Sequence, residues 1–264
     1  MPFYTDQLNR RIEINETPQR IISLVPSQTE LLSDLGLEDE VTGITKFCIH
    51  PAKWFRSKQR IGGTKNINIE KIRSMAPDLI IANKEENGKE QVEELATHFP
   101  VWTSDVNNLA EAIQMIEQLG EIVKRTKEAN ALAEQISTSF NQLKTANTKP
   151  RTAYLIWKDP YMTIGGDTFI NDMLSKAGFQ NVFQSRNRYP AITIEDLQAS
   201  GCQLLFLSSE PYPFKQKHIS EMQAYLPKAK ICLVDGEMFS WYGSRLQYAP
   251  AYFQSLHHQI KAIV

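Results

Sequence analysis

Between Glu121 and Lys149 the chain carries neither glycine nor proline. Leu109, Ile113, Ile116, Leu119 and Val123 recur at steps of three and four, and Ala129, Leu132, Ala133, Ile136, Phe140 and Leu143 continue the pattern. That is helical periodicity, sustained over one long helix or two abutting ones. The second part, about Thr126 to Ala146, would be roughly 30 Å long, close to the diameter of a small domain. Pro150 ends it. A chain of 264 residues interrupted near its middle by such a segment reads as two lobes, 1–108 and 150–264, joined by a helical stretch 109–149.

Both flanks alternate short apolar runs with helical patterns. In the first half, Arg20–Val25, Val41–Thr45, Asp78–Ala82 and Val101–Trp102 read as strands, with helices over Ile69–Met75 and Gly88–His98. A helix also follows Val25, where Ser27 and Glu30 have capping-box spacing and Gly36 is a C-terminal stop. In the second half, Thr152–Trp157, Gln203–Ser208 and Lys230–Val234 read as strands. Thr168–Ala177, Ile194–Ser200, Lys215–Leu226 and Leu246–Ile263 read as helices, the first closed by Gly178. Strands alternating with helices predict an α/β fold with central parallel sheets.

The halves also repeat each other. Ile69-Glu70-Lys71-Ile72 leads to Asp78-Leu79-Ile80-Ile81, and Ile194-Glu195-Asp196-Leu197 leads at the same spacing to Gln203-Leu204-Leu205-Phe206, an offset of 125. Leu32–Gly36 and Leu174–Gly178 form a second pair, offset by 142. Two pairs in matching order on either side of the helical stretch predict pseudo-symmetric lobes with a ligand cleft between them.

Composition narrows the function. Lys and Arg total 29 against 30 Asp and Glu, a net charge of −1, so nothing marks a nucleic-acid binder. No apolar run reaches the roughly 18 residues of a membrane span. The three cysteines are no disulfide framework. Cys202 and Cys232 read as small core residues at strands, whereas Cys48 sits in a loop two residues before His50. The polar start from Met1 to Arg10 has no signal-peptide pattern, which predicts a cytoplasmic chain as written and a periplasmic one if the start was trimmed. There is no Ser-His-Asp set or nucleophile elbow, and Gly62-Gly63-Thr64-Lys65 lacks phosphate-loop spacing. A binding protein is therefore expected, with no cofactor of its own, and an enzyme acting on a bulky ligand is the alternative of another class.

Ligands of open α/β sheets lie beyond the carboxyl ends of the strands. The loops there are rich in aromatics, which suits a large, flat, partly apolar ligand. The candidate contacts are Pro26, Ser27, Cys48, His50, Trp54, Gly63, Thr64 and Lys65 in the first half, and Trp157, Tyr161, Tyr212, Phe214, Trp241, Tyr242 and Arg245 in the second. His98, His218, His257 and His258 read as surface residues on helices, and no set has metal-cluster spacing.

Arg20-Ile21-Ile22-Ser23-Leu24-Val25-Pro26-Ser27-Gln28-Thr29-Glu30 resembles the opening of the class III substrate-binding proteins of ABC importers, the helical-backbone receptors for vitamin B12, ferric siderophores and haem. Ile61-Gly62-Gly63, Ile69–Ile72, Ala76–Ile81 and the mid-chain helix extend the resemblance, which is nearest to the cobalamin branch. It implies two α/β lobes bridged by one long helix and a monomer that holds a cobalamin-like corrinoid, or another metal chelate, in the cleft. Glu70 and Glu195 match the carboxylates that dock such receptors to an ABC permease dimer, though both also suit solvated positions at helix N-termini. His50 could be an axial ligand to the cobalt of a bound corrinoid, or an ordinary rim residue beside a proline turn. With a ferric siderophore or haem as the alternative ligand of the same fold, Tyr242 and Arg245 would face the anionic oxygens of the siderophore.

Overall fold

The computed structural model describes residues 2–145 and 148–262, so the expected helix ends at Ala146 and Ile263 lie outside the described residues. The chain divides into two compact units. The first comprises residues 1–106, 110–137 and 242–245; the second comprises 107–109, 138–241 and 246–264.

The first unit opens with an antiparallel hairpin, β1 (Phe3–Thr5) and β2 (Arg11–Glu13), which the sequence reading does not anticipate. The Asp6 carboxylate ties its turn by accepting from the backbone N–H groups of Leu8 and Arg10. Then follow β3 (Ile21–Ser23), α1 (Pro26–Asp34), β4 (Val41–Ile44), α2 (Ala52–Ser57), β5 (Gln59–Arg60), α3 (Ile69–Met75), β6 (Leu79–Asn83), α4 (Lys89–Ala96) and β7 (Val101–Ser104). The five later strands pair in parallel in the order β5-β4-β3-β6-β7. Every residue of β3, β6 and β7 is buried, as continuous apolar strands covered on both faces require.

The helical stretch takes the second of its two expected forms. It is divided into α5 (Leu109–Ile122) and α6 (Thr126–Asn141). The break falls where Lys124 adopts a left-handed conformation, φ 58°. Gly120 explains it: a Cβ there would lie 2.1 Å from the Ala129 Cβ, so only glycine lets the end of α5 approach the start of α6 so closely.

The second unit contains β8 (Arg151–Trp157), β9 (Met162–Thr163), α7 (Phe169–Lys176), β10 (Gln180–Asn181), α8 (Ile194–Ala199), β11 (Leu204–Ser208), α9 (Gln216–Tyr225), β12 (Lys230–Val234), α10 (Glu237–Ser240) and α11 (Ala249–Ala262). Its sheet runs β10-β8-β11-β12 in parallel, with β9 antiparallel to β8. Tyr154, Phe179, Phe206 and Phe239 form an aromatic core of mostly edge-to-face contacts.

The internal repeat is visible in the pairing. In the first sheet Ile21 lies opposite Leu79, and in the second Thr152 lies opposite Leu204, so the 125-residue offset relates β6 to β11. The helices before these strands are capped alike: the Asn68 side chain accepts from Lys71 N–H, and Thr193 forms a capping box with Asp196. At α1 the expectation is corrected. Val25 is the N-cap and Pro26 occupies the first turn, so Ser27 and Glu30 form no capping box.

Candidate functional site

Each sheet has a switch point, where the chain moves outward first on one side and then on the other. It lies between β3 and β6 in the first unit and between β8 and β11 in the second. The crevice beyond the carboxyl ends of such strands is where ligands of open α/β sheets sit.

At the first edge, a network of amides holds the loops. Asn87 Oδ1 accepts from Asn83 N–H at 2.8 Å, while Asn87 Nδ2 donates to the carbonyls of Leu24 (3.3 Å) and Thr64 (3.1 Å). Asn83 Oδ1 accepts from the N–H groups of Glu85 and Glu86, and Gln28 Nε2 and Asn83 Nδ2 converge on Ser104 Oγ. Beside this network lie Pro26, Ser27, Gly63, Thr64 and Lys65. Lys65 Nζ donates to the carbonyls of Glu85 and Asn87, and the hydroxyl of Ser27 is buried with no hydrogen-bond partner.

The loop after β4 splits by burial. Cys48 is 0% exposed, with its sulfur 3.1 Å from both Thr29 Oγ1 and Thr45 Oγ1, and burial pushes its thiol pKa up. Trp54 is buried too and donates its indole N–H to Glu38 Oε2 at 2.8 Å. The expectation that these two face a ligand is therefore corrected: both fill the interior, where their polar atoms are already satisfied. Phe47 and Ile49, which the sequence pattern does not single out, project instead at 50% and 45% exposure. Half-buried His50 stands close enough to Glu30 to favour its carboxylate form.

The short segment 242–245 also belongs to this unit. Tyr242 donates to Glu86 Oε1 at 2.6 Å, and Arg245 grips Glu30 with two bonds of 2.8 and 2.6 Å. Both side chains of that ion pair are largely buried, and burial raises the Glu30 pKa despite the guanidinium.

At the second edge, Trp157 ends β8 at 39% exposure and meets Tyr212 edge-on, with ring centroids 5.8 Å apart. Tyr212 continues to Phe214, expected as a ligand contact, which is instead buried in the hydrophobic core. His218 is a second correction. It is 4% exposed, accepts from Lys215 N–H at Nδ1, and packs between the Tyr212 and Phe214 rings. Lys158 Nζ contacts both Glu221 oxygens at 2.7 Å, and Tyr161 donates to the same carboxylate. Trp241 is buried and donates to Glu210 Oε1 at 3.0 Å, which also accepts from Ser240. Desolvation pushes the Glu210 pKa up.

Glu70 and Glu195 stand at equivalent, exposed positions in the first turns of α3 and α8. Glu70 pairs with Arg73 at 2.7 Å, and hydrogen bonds at the start of α8 lower the Glu195 pKa. No group of three or more His, Cys, Asp or Glu among the described residues could hold a metal.

A family profile described as periplasmic binding protein matches residues 21–226. The chain belongs to the periplasmic binding protein family. Among curated relatives, the vitamin B12-binding protein of Yersinia pestis (strain Pestoides F) is 26% identical over 198 residues, covering 73% of this chain and 70% of that one. The fold is that of the periplasmic vitamin B12 binding protein BtuF of Vibrio cholerae, with TM-score 0.72 and 22% identity over 91% of this chain and 98% of the other. The periplasmic heme binding protein HutB of Vibrio cholerae has a TM-score of 0.76 at 18% identity, covering 90% of this chain and 99% of its own. In this periplasmic binding protein, no helix among the described residues is long and apolar enough to cross a membrane.

Proposed function

We propose that this chain binds a corrinoid of the cobalamin class and delivers it to an ABC permease, acting outside the cytoplasmic membrane as a binder and not as an enzyme. The observation that carries this reading is the set of exposed apolar side chains at the sheet edges: Phe47 and Ile49 in the first unit and Trp157 in the second. Such flat, apolar surfaces match the faces of a corrin ring, and leaving them in water has no structural benefit. The B12-binding relatives support the same ligand class. His50 is the candidate axial ligand. Glu70 and Glu195, at matching helix starts of the two units, are the candidate docking carboxylates.

The test mixes the protein with cyanocobalamin, haemin and a ferric hydroxamate, then records visible spectra after desalting. Corrinoid bands should co-elute with the protein. Retention of haemin or the hydroxamate without the corrinoid contradicts the proposal. Glu70→Ala combined with Glu195→Ala should leave corrinoid retention intact and abolish permease association.

A further inference from the structure

The segment 242–245 lies across the switch point of the first sheet. Tyr242 is bonded to Glu86, in the loop that leaves β6, and Arg245 is bonded to Glu30 on α1, the helix that leaves β3. Between them Gly243 lies against the first turn of α1, so close that a Cβ would fall 2.6 Å from the Ser27 carbonyl oxygen. The segment therefore places a phenol and a guanidinium at the first sheet's carboxyl edge, and these are the two groups that an anionic ligand would recruit. Both are instead engaged by carboxylates of the same unit. The Arg245–Glu30 contact is bidentate, with the two side chains only 12% and 15% exposed. The second unit treats its edge cation in the same way, for Lys158 is held by both oxygens of Glu221.

We infer that Glu30 is a specificity-determining residue that, by holding Arg245, excludes polycarboxylate chelates and leaves the edge selective for macrocycles whose rim is amidated. This deepens the corrinoid reading and rests on it. The reason is differential recognition. An amide rim loses nothing when Arg245 is already paired, whereas a carboxylate rim meets an arginine whose charge Glu30 already neutralises. Burial reinforces this, because a desolvated ion pair does not exchange partners without exposing Glu30 unpaired.

The test uses two corrinoids that share the ring and differ in rim charge and in the nucleotide loop, so the change in preference from variant to variant is what it reads. Cyanocobalamin, whose ring carboxyls are all amides, is titrated against dicyanocobyrinic acid, in which they are free. The wild-type chain should prefer cyanocobalamin. Glu30→Gln should narrow that preference about tenfold, the strength of one charge-assisted hydrogen bond from the freed Arg245 to the acid. Glu30→Gln combined with Arg245→Met should restore it. A preference unchanged by Glu30→Gln, or narrowed equally in the double variant, overturns the exclusion role alone. A wild-type chain that binds the acid as well as cyanocobalamin also overturns it, and one that binds neither overturns the corrinoid reading beneath it. One measurement does not depend on the variants folding: raising salt from about 0.05 to about 0.5 M should narrow the wild-type preference by screening. A salt-independent ratio contradicts the electrostatic origin.

Discussion

Each unit keeps one carboxyl at the carboxyl edge of its sheet with its pKa raised by burial, and the two are accommodated differently. Glu30 in the first unit faces a guanidinium through two bonds. Glu210 in the second accepts from two neutral donors, the Ser240 hydroxyl and the Trp241 indole, and the nearby carboxylates of Glu237 and Asp235 add to the upward shift. The same contrast runs through the loops around them. The first edge is knit by buried amides and hydroxyls, Asn83, Asn87, Ser104 and Gln28, whereas the second is an aromatic stack of Trp157, Tyr212, Phe214 and His218. A repeated topology thus carries two surfaces of different chemistry.

The largest effect expected from this contrast comes from the amide network. Asn87→Ala strips hydrogen bonds from Asn83 N–H and from two backbone carbonyls, all at a 3% exposed site. It should destabilise the chain by about 3 kcal/mol in chemical denaturation. A loss below about 1 kcal/mol would mean that water replaces the network, and that the first edge is no more rigid than the second.

A smaller effect should appear at Glu210. Its raised pKa means that the folded chain holds this proton more tightly than the unfolded chain does. Its contribution therefore falls as pH rises from the ordinary carboxylate range through the raised value. Glu210→Gln should be increasingly stabilising relative to wild type in melts as pH rises above the ordinary carboxylate range. A pH-independent difference would place the carboxyl in water.

The smallest effect is expected at Glu221, whose pKa Lys158 lowers by hydrogen bonding. The sign is opposite: its contribution is present above the ordinary carboxylate range and is lost as pH falls. Because Glu221 is 37% exposed, Glu221→Gln should cost below about 1 kcal/mol at neutral pH. A larger cost would make the Lys158–Tyr161 cluster a structural core, which would blur its contrast with the buried Arg245–Glu30 pair.

Local pattern carried much of the fold. Helix α3 spans Ile69–Met75 as its periodicity predicts, and the 125-residue offset reappears as equivalent strand pairing. The unforeseen hairpin had a local signal, the turn residues Asp6 and Asn9, the latter at φ 60°. The capping box at Ser27 failed because Pro26 takes the first helical position and Glu30 is drawn to a residue 215 positions away. The site was less legible for the same reason. Whether Cys48 or its neighbours Phe47 and Ile49 face solvent depends on Thr29 reaching the Cys48 sulfur, a tertiary contact with no sequence period. His218 is buried because Tyr212 and Phe214 fold back over α9, which its helical position does not reveal.

The central claim is that exposed aromatic side chains at the sheet edges, Phe47 and Trp157, contact a corrinoid. Calorimetric titration with cyanocobalamin of the wild-type chain, Phe47→Ser and Trp157→Ala tests it most directly. Phe47 is 50% and Trp157 39% exposed, and because Trp157 also packs on Tyr212, thermal melts accompany the titrations. One molecule should bind per chain, and each variant should weaken binding about tenfold, as expected when one aromatic ring is taken away from the ligand's face. Wild-type affinity retained by either variant would show that its edge does not touch the ligand, and would contradict the claim.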